Sequence, residues 1–584
     1  MSDAIRRAEE FLSREQAFRL GELVTEAFHP KTKVLSQTAA ADLPAAIRLL
    51  QSVDGDISPA MKKVFRQDSF RQLVEAFSEA LNAGKRIYFT GCGATGRLSI
   101  LLEAAWRSGI ARLRAMTERG FAQSGEKMED RIFSVMAGGD FALIKSVEGY
   151  EDFPDFGRRQ LRQMHVHPGD VIVAITEGGE TPFVIGTAWE GLDAGAKVFF
   201  VYNNPTDVLR RHVQRSREVI EEPRIIKLDL ATGPMAITGS TRMQATTAEL
   251  LVIGAALEIA LVCFLRESGR PVGSAAHEPG DYHRLFCELL SQLSSPQAVD
   301  ALAAATTFEE SIYRKGGLVT YAADSFLLDV LTDTTERSPT FMLPAFRKQG
   351  DNLAPRSWAF VKDPFRPTEE AWRELLQREP RGLNWGREVY EEMNAPAKLK
   401  AQPPKLDNAE IHKFMIGNEP DPSRTDAPDS ALIAIAAGDE TNRLIQAAHA
   451  PYKKTAALIV GSEDAGAGVD ETFRFAYNPP DSPLQLWHHM AIKLILNTLS
   501  TVTMVRMGRV IGNAMVWLSP SNKKLIDRGS RLIAQQTGCT YEQACIALHE
   551  AMEEVQARQQ RGDEVPSPVA LAIERLRGKP DQSR

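Results

Sequence analysis

The chain has 584 residues, 43% of them hydrophobic and 25% charged, with a formal net charge of −7. This is ordinary composition for a soluble globular protein and a length for about three or four domains. Acidic and basic residues are interspersed without a basic surplus, which excludes the usual electrostatic footprint of a nucleic-acid binder.

Residues 1–52 read as a helical segment broken at HPKTKV, and the opening MSDAIRRAEEFLSREQAF is charged and helical, unlike a secretory signal. A helix over about 57–83 follows. Next come β-rich apolar runs, RIYFT, RIFSVMAG, DVIVAITEG, KVFFVYNN and EVIEEPRIIKLD, each trailed by a turn or helix. Strands alternating with helices predict a parallel sheet covered on both faces. This first α/β unit spans 53–265 and closes with the helix TRMQATTAELLVIGAALEIALVCFL. Its apolar part, interrupted by Glu258, is too short for a membrane span and reads as a buried helix. Residues 266–300 form a helical connector.

The same pattern returns over 301–518, with strands at GLVTYAAD, WAFVKD, DSALIAIAAGDET and KTAALIVGSED and a long helix from LQLWHHMAIKLILNTLST to VWL. This predicts an internal duplication of about 200 residues. The Pro-rich stretch from PFRPTEEAW to AQPPKLDNAE reads as an insertion or surface loop, and 519–584 as a small helical cap. The five cysteines (Cys92, Cys263, Cys287, Cys539, Cys545) are odd in number and lack CxxC spacing. That points to a reducing compartment, without a zinc site or disulfide framework. A cytoplasmic protein with no membrane or nucleic-acid partner is the expectation.

The most informative segment is GKRIYFTGCGATGRLS, a strand running through a glycine-punctuated loop into a helix. It aims backbone N–H groups and the positive end of a helix at one point, as a phosphate requires. Gly91, Gly93 and Gly96 let the backbone approach a ligand, and Thr95 adds a hydroxyl. No Gly-Lys-Ser/Thr follows, and Arg97 stands where a dinucleotide fingerprint has its third glycine, so a phosphorylated small molecule is expected rather than a nucleotide. Three further segments end strands of the same unit. Thr176-Glu177-Gly178-Gly179-Glu180-Thr181-Pro182 opens a helix, the acidic SVEGYEDFPDFG brings Glu148, Glu151 and Asp152 together, and Ser240, Thr241 and Arg242 precede the buried helix. The second copy ends its corresponding strands in AADSF and AAGDET. Without the glycines it cannot cup a phosphate, so one working site per chain is expected.

These motifs, GCGATGRLS, VEGYED, TEGGETPFV, NNP, GSTRM, and KLILNTLSTVTMVRMGRVIGNAMV with SNKKL, resemble the sugar isomerase (SIS) group that includes N-acetylmuramic acid 6-phosphate etherase and the glucokinase regulatory protein. The resemblance covers nearly the whole chain. It implies an α/β protein of two SIS-type, flavodoxin-like domains, each a parallel five-stranded sheet in an α/β/α sandwich, with a small C-terminal helical cap. A monomer holding a pseudo-dimeric pair of domains is implied, since the etherase has one copy per chain and dimerises.

It further implies a sugar phosphate held by Gly91, Gly93, Ala94, Thr95, Gly96 and Arg97. Thr176, Gly178, Gly179, Glu180 and Thr181 would assist, with Ser240 and Arg242 nearby and Lys493 reaching across from the second copy. Glu151 matches the glutamate that touches the sugar in the regulator and serves acid–base catalysis in the etherase. No cofactor or metal is implied. The partner of the regulator is a sugar kinase, although the C-terminal helices here are shorter than the regulator's lid. The etherase's second catalytic glutamate falls at Ala105, and Glu103 points about 200° elsewhere on the helix. Glu177 and Glu180 stand where relatives carry neutral or basic residues, and would need Arg97, Arg242 or Lys493 to offset them. Sugar-phosphate sensing is therefore the leading expectation, with the etherase (lyase) reaction next and an isomerase or deaminase third.

Overall fold

The computed structural model describes residues 2–116, 127–147, 149–269, 277–447, 452–461, 468–560 and 565–578. In the first half, β1 (Ile87–Gly91), β2 (Ile132–Met136), β3 (Val171–Thr176), β4 (Lys197–Tyr202) and β5 (Ile225–Asp229) form a parallel sheet in the order β2-β1-β3-β4-β5. In the second half, β6 (Val319–Ala322), β7 (Ala359–Lys362), β8 (Ala431–Ala437), β9 (Lys454–Val460) and β10 (Glu471–Phe475) run in the order β10-β9-β8-β6-β7. Counted from its own first strand, the second sheet repeats the first, which is the topology of a duplication.

The central strands β1, β3 and β8 are buried along their whole length, as sheets covered on both faces require. The outer strand β10 alternates exposed and buried positions. It was not foreseen in the sequence, because its five residues ETFRF carry only two core side chains.

The helices that position the site are α1 (Leu43–Asp54), α2 (Gly93–Met116), α3 (Pro182–Asp193), α4 (Gln244–Glu267), α5 (Pro279–Leu293), α6 (Pro296–Arg314), α7 (Leu327–Phe341), α8 (Leu486–Arg506) and α9 (Lys523–Thr537). Helix α4 is long and apolar enough to cross a membrane, but 89% of its most apolar window is buried inside the protein. Two expectations need correction. The long second-half helix stops at Arg506, where Gly508 at φ +77° takes the left-handed position that ends helices. The Pro-rich stretch is no free loop. It folds into short helices that bury Trp372, Trp385 and Tyr390, and Trp385 donates to Gln163 of the first half at 3.1 Å.

The halves are joined by buried charge. Arg242 of the first half reaches Asp333 on α7 at 2.9 Å, and Arg337 binds both Asp333 (2.9 Å) and Glu309 on α6 (2.6 Å). Ser500 and Asn497 on α8 add hydrogen bonds to Asp333 at 2.9 and 3.1 Å. Burial would raise the pKa of Asp333, but Arg337 and Arg242 overcome it and hold the carboxyl below its ordinary value. Removing one member of such a network strands the others without water. Asp333→Ala is expected to cost about 3–5 kcal/mol, read as a lowered midpoint of chemical denaturation; an unchanged midpoint would show that the network contributes nothing to stability.

Candidate functional site

The sheet order reverses between β1 and β3, and open α/β sheets bind ligands at the carboxyl ends of strands at such a point. There β1 passes through a single residue, Cys92, into α2. The first amides of α2, from Gly93, Ala94 and Thr95, have no intrahelical acceptor, and they carry the positive end of the helix dipole. The three glycines have different tasks. Gly93 sits at φ +52°, and a Cβ there would meet nothing within 4 Å, so it is the residue that opens the turn to a ligand. At Gly91 a Cβ would lie 2.5 Å from the Thr95 backbone, and at Gly96 2.6 Å from the Met136 side chain. Those two are packing glycines.

Around this turn lies a hollow of about 170 Å³ whose lining includes Gly93, Glu151, Glu177, Thr181, Ser240 and Lys524. It shares Cys92, Gly93, Glu151 and Asn522 with a roomier cavity of about 550 Å³ that continues past Met136 and Val147. Of the residues expected from the sequence, Ala94, Arg97 and Arg242 also line the hollow. The others lie around it in structural roles. The Thr95 hydroxyl closes the turn, accepting from Cys92 N (3.0 Å) and donating to Cys92 O (2.9 Å). Thr176 and Thr181 bond each other through their hydroxyls at 3.0 Å. The Gly178 carbonyl accepts from Asn204, and Gly179, at φ +73°, packs against Leu209. Glu148 lies outside the described residues.

The three cations expected to face the phosphate are engaged elsewhere. Arg97 is buried and paired with Glu336 of α7, and it donates to Thr335 and the Leu143 carbonyl. Arg242 is committed to Asp333, Ser500 and Thr501. Lys493 does cross from the second half, but it does not line the hollow. Its ammonium is spent on the carbonyls of Arg242 and Met243, the Thr247 hydroxyl and Asn497, at 2.8–3.2 Å. Burial pulls its pKa down to about 7. The motifs and the resemblance put these residues at the site, and it is the inter-half packing that engages their head groups.

Helix α9 brings two further cations to the lining of the hollow, Arg528, which is paired with Glu26 at 2.5 Å, and Lys524 in its first turn. Lys524 bonds Glu180 at 2.7 Å, and Arg215 binds the other Glu180 oxygen at 2.6 Å. Lys524 and Arg215, rather than Arg97, Arg242 or Lys493, therefore offset Glu180. Burial alone would raise the pKa of Glu180, yet these two cations take it down to about 2. Its neighbour Glu177 has no such pair, and burial pushes it up to about 7. Glu151 is also raised, by burial first, against the pull of Lys524. Asn522 donates to its carboxylate. Asp152 is raised by burial to about 7. SNKKL was visible in the sequence, but nothing in a chain-order reading brings position 524 beside position 93.

Glu103 is fully buried beneath Arg107, Arg378 and Arg381 and bonds Ser134, so it is held away from the hollow, while Ala105 offers no functional group. Among the described residues no group of three His, Cys, Asp or Glu side chains is placed to hold a metal ion.

Two repeated parallel sheets with an amide-rich turn at the first switch point define a double SIS-domain protein. Residues 70–190 match the family described as the glucokinase regulatory protein N-terminal SIS domain. The N-acetylmuramic acid 6-phosphate etherase of Prochlorococcus marinus is 30% identical over 254 residues, which cover 44% of this chain and 69% of that one. N-acetylmuramic acid 6-phosphate etherase 1 of Bacillus licheniformis is 28% identical over 234 residues, covering 40% and 67%. The chain belongs to the family of the N-acetylmuramic acid 6-phosphate etherases. Among solved structures, the C-terminal domain of glucosamine-fructose-6-phosphate aminotransferase from Francisella tularensis aligns over 78% of this chain and 96% of its own, at 10% identity and a TM-score of 0.42.

The folded pKa of Glu180, about 2, lies below its ordinary value of 4.5. Its stabilisation is thus complete above pH 4.5 and lost as pH falls toward 2. Glu180→Gln is expected to lower stability at pH 7 by on the order of 3 kcal/mol and to converge with the parent protein near pH 2, as followed by denaturant titration across that range. Parallel curves for the two proteins would refute the pairing.

Proposed function

We propose that the hollow at β1–α2 binds the phosphate of a phosphorylated hexose or amino sugar, and that the chain senses this metabolite in carbohydrate metabolism. The observation that carries the reading is the pairing of open helix amides at Gly93 with the Lys524 ammonium across one small hollow. Amides and a lysine are the groups that recognise a phosphate dianion. The partly buried Glu151 stands at the junction of the two cavities, where a sugar hydroxyl would meet it. Ala105 removes the second glutamate of the etherases, which favours binding over turnover.

In thermal-shift assays of the full chain, glucose 6-phosphate or N-acetylglucosamine 6-phosphate at a hundredfold Kd is expected to add about 2.7 kcal/mol of stability. Lys524→Met is expected to weaken that binding by one to two orders of magnitude, as the loss of a charge-assisted hydrogen bond requires. If no sugar phosphate moves the melting curve, the reading fails.

One observation favours a lyase as a second reading: Glu177 lines the same hollow as Glu151 and is held near half-protonation at neutral pH. Opening a lactyl ether by elimination needs a base for the carbon-bound proton and an acid for the departing oxygen. In this reading Glu151 is the base, and Glu177 supplies from β3 the acid that α2 lacks. Incubation with N-acetylmuramic acid 6-phosphate is then expected to release D-lactate, with both Glu151→Gln and Glu177→Gln losing at least a hundredfold in kcat. Binding without lactate release leaves the sensing role alone.

A further inference from the structure

A cavity of about 420 Å³ lies between α1, α5, α6 and α8 and shares no lining residue with the anion hollow. One wall is apolar, built by Leu290, Leu293, Leu302, Leu494 and Ile495. Arg48 stands exposed at the rim and turns a guanidinium N–H to the Ser294 carbonyl at 3.5 Å, while the polar groups deeper in the cavity are mainly acceptors. Asp54 is 5% exposed, and one of its oxygens takes a hydrogen bond from Gln244 at 2.7 Å. Gln51 spends an amide N–H on the Leu293 carbonyl at 2.7 Å, leaving its buried Oε1 without a partner among the described residues. The hydroxyls of Thr498 and Ser52 donate inward, to the carbonyls of Leu494 (2.9 Å) and Leu49 (2.7 Å), so that only their lone pairs face the space. Lys493, although its charge is felt at Asp54, directs its N–H groups to the start of α4 and to Asn497.

Buried acceptors left unmatched are costly, and a charged one most of all. A ligand that satisfies this cavity must bring several donors and a positive charge at one end, with carbon at the other. We propose that the cavity is a second small-molecule site, for a primary ammonium on a short aliphatic or hydroxylated chain, with the ammonium at Asp54 and Gln51 and the chain along the leucines.

The site is wired to the anion hollow. Gln244, which holds Asp54, accepts from Ala236 N at 3.0 Å and so also holds the loop that carries Ser240 and Arg242. Helix α8 lines the cavity with Leu494, Ile495 and Thr498, and through Lys493 it grips the same loop from behind. Occupancy of the cavity therefore changes the affinity of the hollow for its anion. That coupling rests on the reading of the hollow given above, whereas amine binding does not.

The test is saturation-transfer NMR on the full chain with ethanolamine and n-butylamine, and with acetate as control. The parent protein, Asp54→Asn and Ser291→Trp are compared. Ser291 is exposed at the mouth, so its tryptophan blocks access and leaves the floor intact. Transfer to both amines and not to acetate is expected in the parent, with loss in Ser291→Trp and at least tenfold weaker binding in Asp54→Asn. No amine transfer in the parent, equal transfer in all three proteins, or equal transfer to acetate would overturn the site. With ethanolamine saturating, the Kd for glucose 6-phosphate is expected to change at least fivefold. An unchanged Kd beside intact amine binding overturns the coupling. If glucose 6-phosphate fails to bind without amine, the reading of the hollow falls while the amine site stands.

Discussion

Asp333 holds two guanidinium groups, Arg242 from the first half and Arg337 from its own helix, where almost no water reaches. Everything at the anion hollow is downstream of that arrangement. The Arg242 guanidinium is committed to the second half, which fixes the loop just before α4. Lys493 then clamps the carbonyls that follow. The two copies are held together by covalent linkage and by this buried charge. The cost of isolating any one of these charges makes the relative placement of the halves stiff rather than adjustable.

With three of the expected cations engaged elsewhere, the charge balance of the hollow passes to α9, the first helix of the C-terminal segment. Lys524 neutralises Glu180 together with Arg215, and its remaining field lowers the energy of an anion at Gly93. Glu177 is raised by burial to about 7, against the pull of Lys524. A dianionic phosphate beside two glutamates is unfavourable on a simple count of charges. The structure eases the conflict by pairing one carboxylate and raising the pKa of the other. Two acidic residues in the TEGGETP turn are thus compatible with an anion site. They also make the hollow sensitive to the seating of α9, since Lys524 is the first-turn residue that carries the compensation.

The fold was legible because its signals are local. Five apolar runs ending in glycine or polar turns became β1 to β5, and the repeat of that pattern announced the second sheet. The glycine loop likewise declared a helix N-terminus. What could not be read was the direction of long side chains. Arg97, Arg242 and Lys493 belong to motifs that border the site, and only the packing of α7 and α8 against the first half shows that their heads point into the seam. Lys524 lay hidden for the converse reason, because its proximity to Gly93 is a product of the whole chain path. The docking of the Pro-rich insertion escaped for a similar reason. Its composition is that of a loop, while Trp385 finds its partner, Gln163, more than two hundred residues away.

The second copy differs from the first at the corresponding strand end. At the carboxyl end of β6, where the first copy has its open amides, stands Asp324, paired with Arg366 at 2.7 Å and with Arg443. Arg366 also takes Asp363, just beyond β7, at 2.8 Å. The place where a phosphate would sit carries carboxylates of the protein itself, and the arginines that might have drawn an anion are satisfied by them. An incoming phosphate would have to displace a bonded carboxylate while losing its own hydration, and the turn after β6 holds no glycine to receive it. The second half also braces the first, lending Glu336 and Asp333 to hold Arg97 and Arg242.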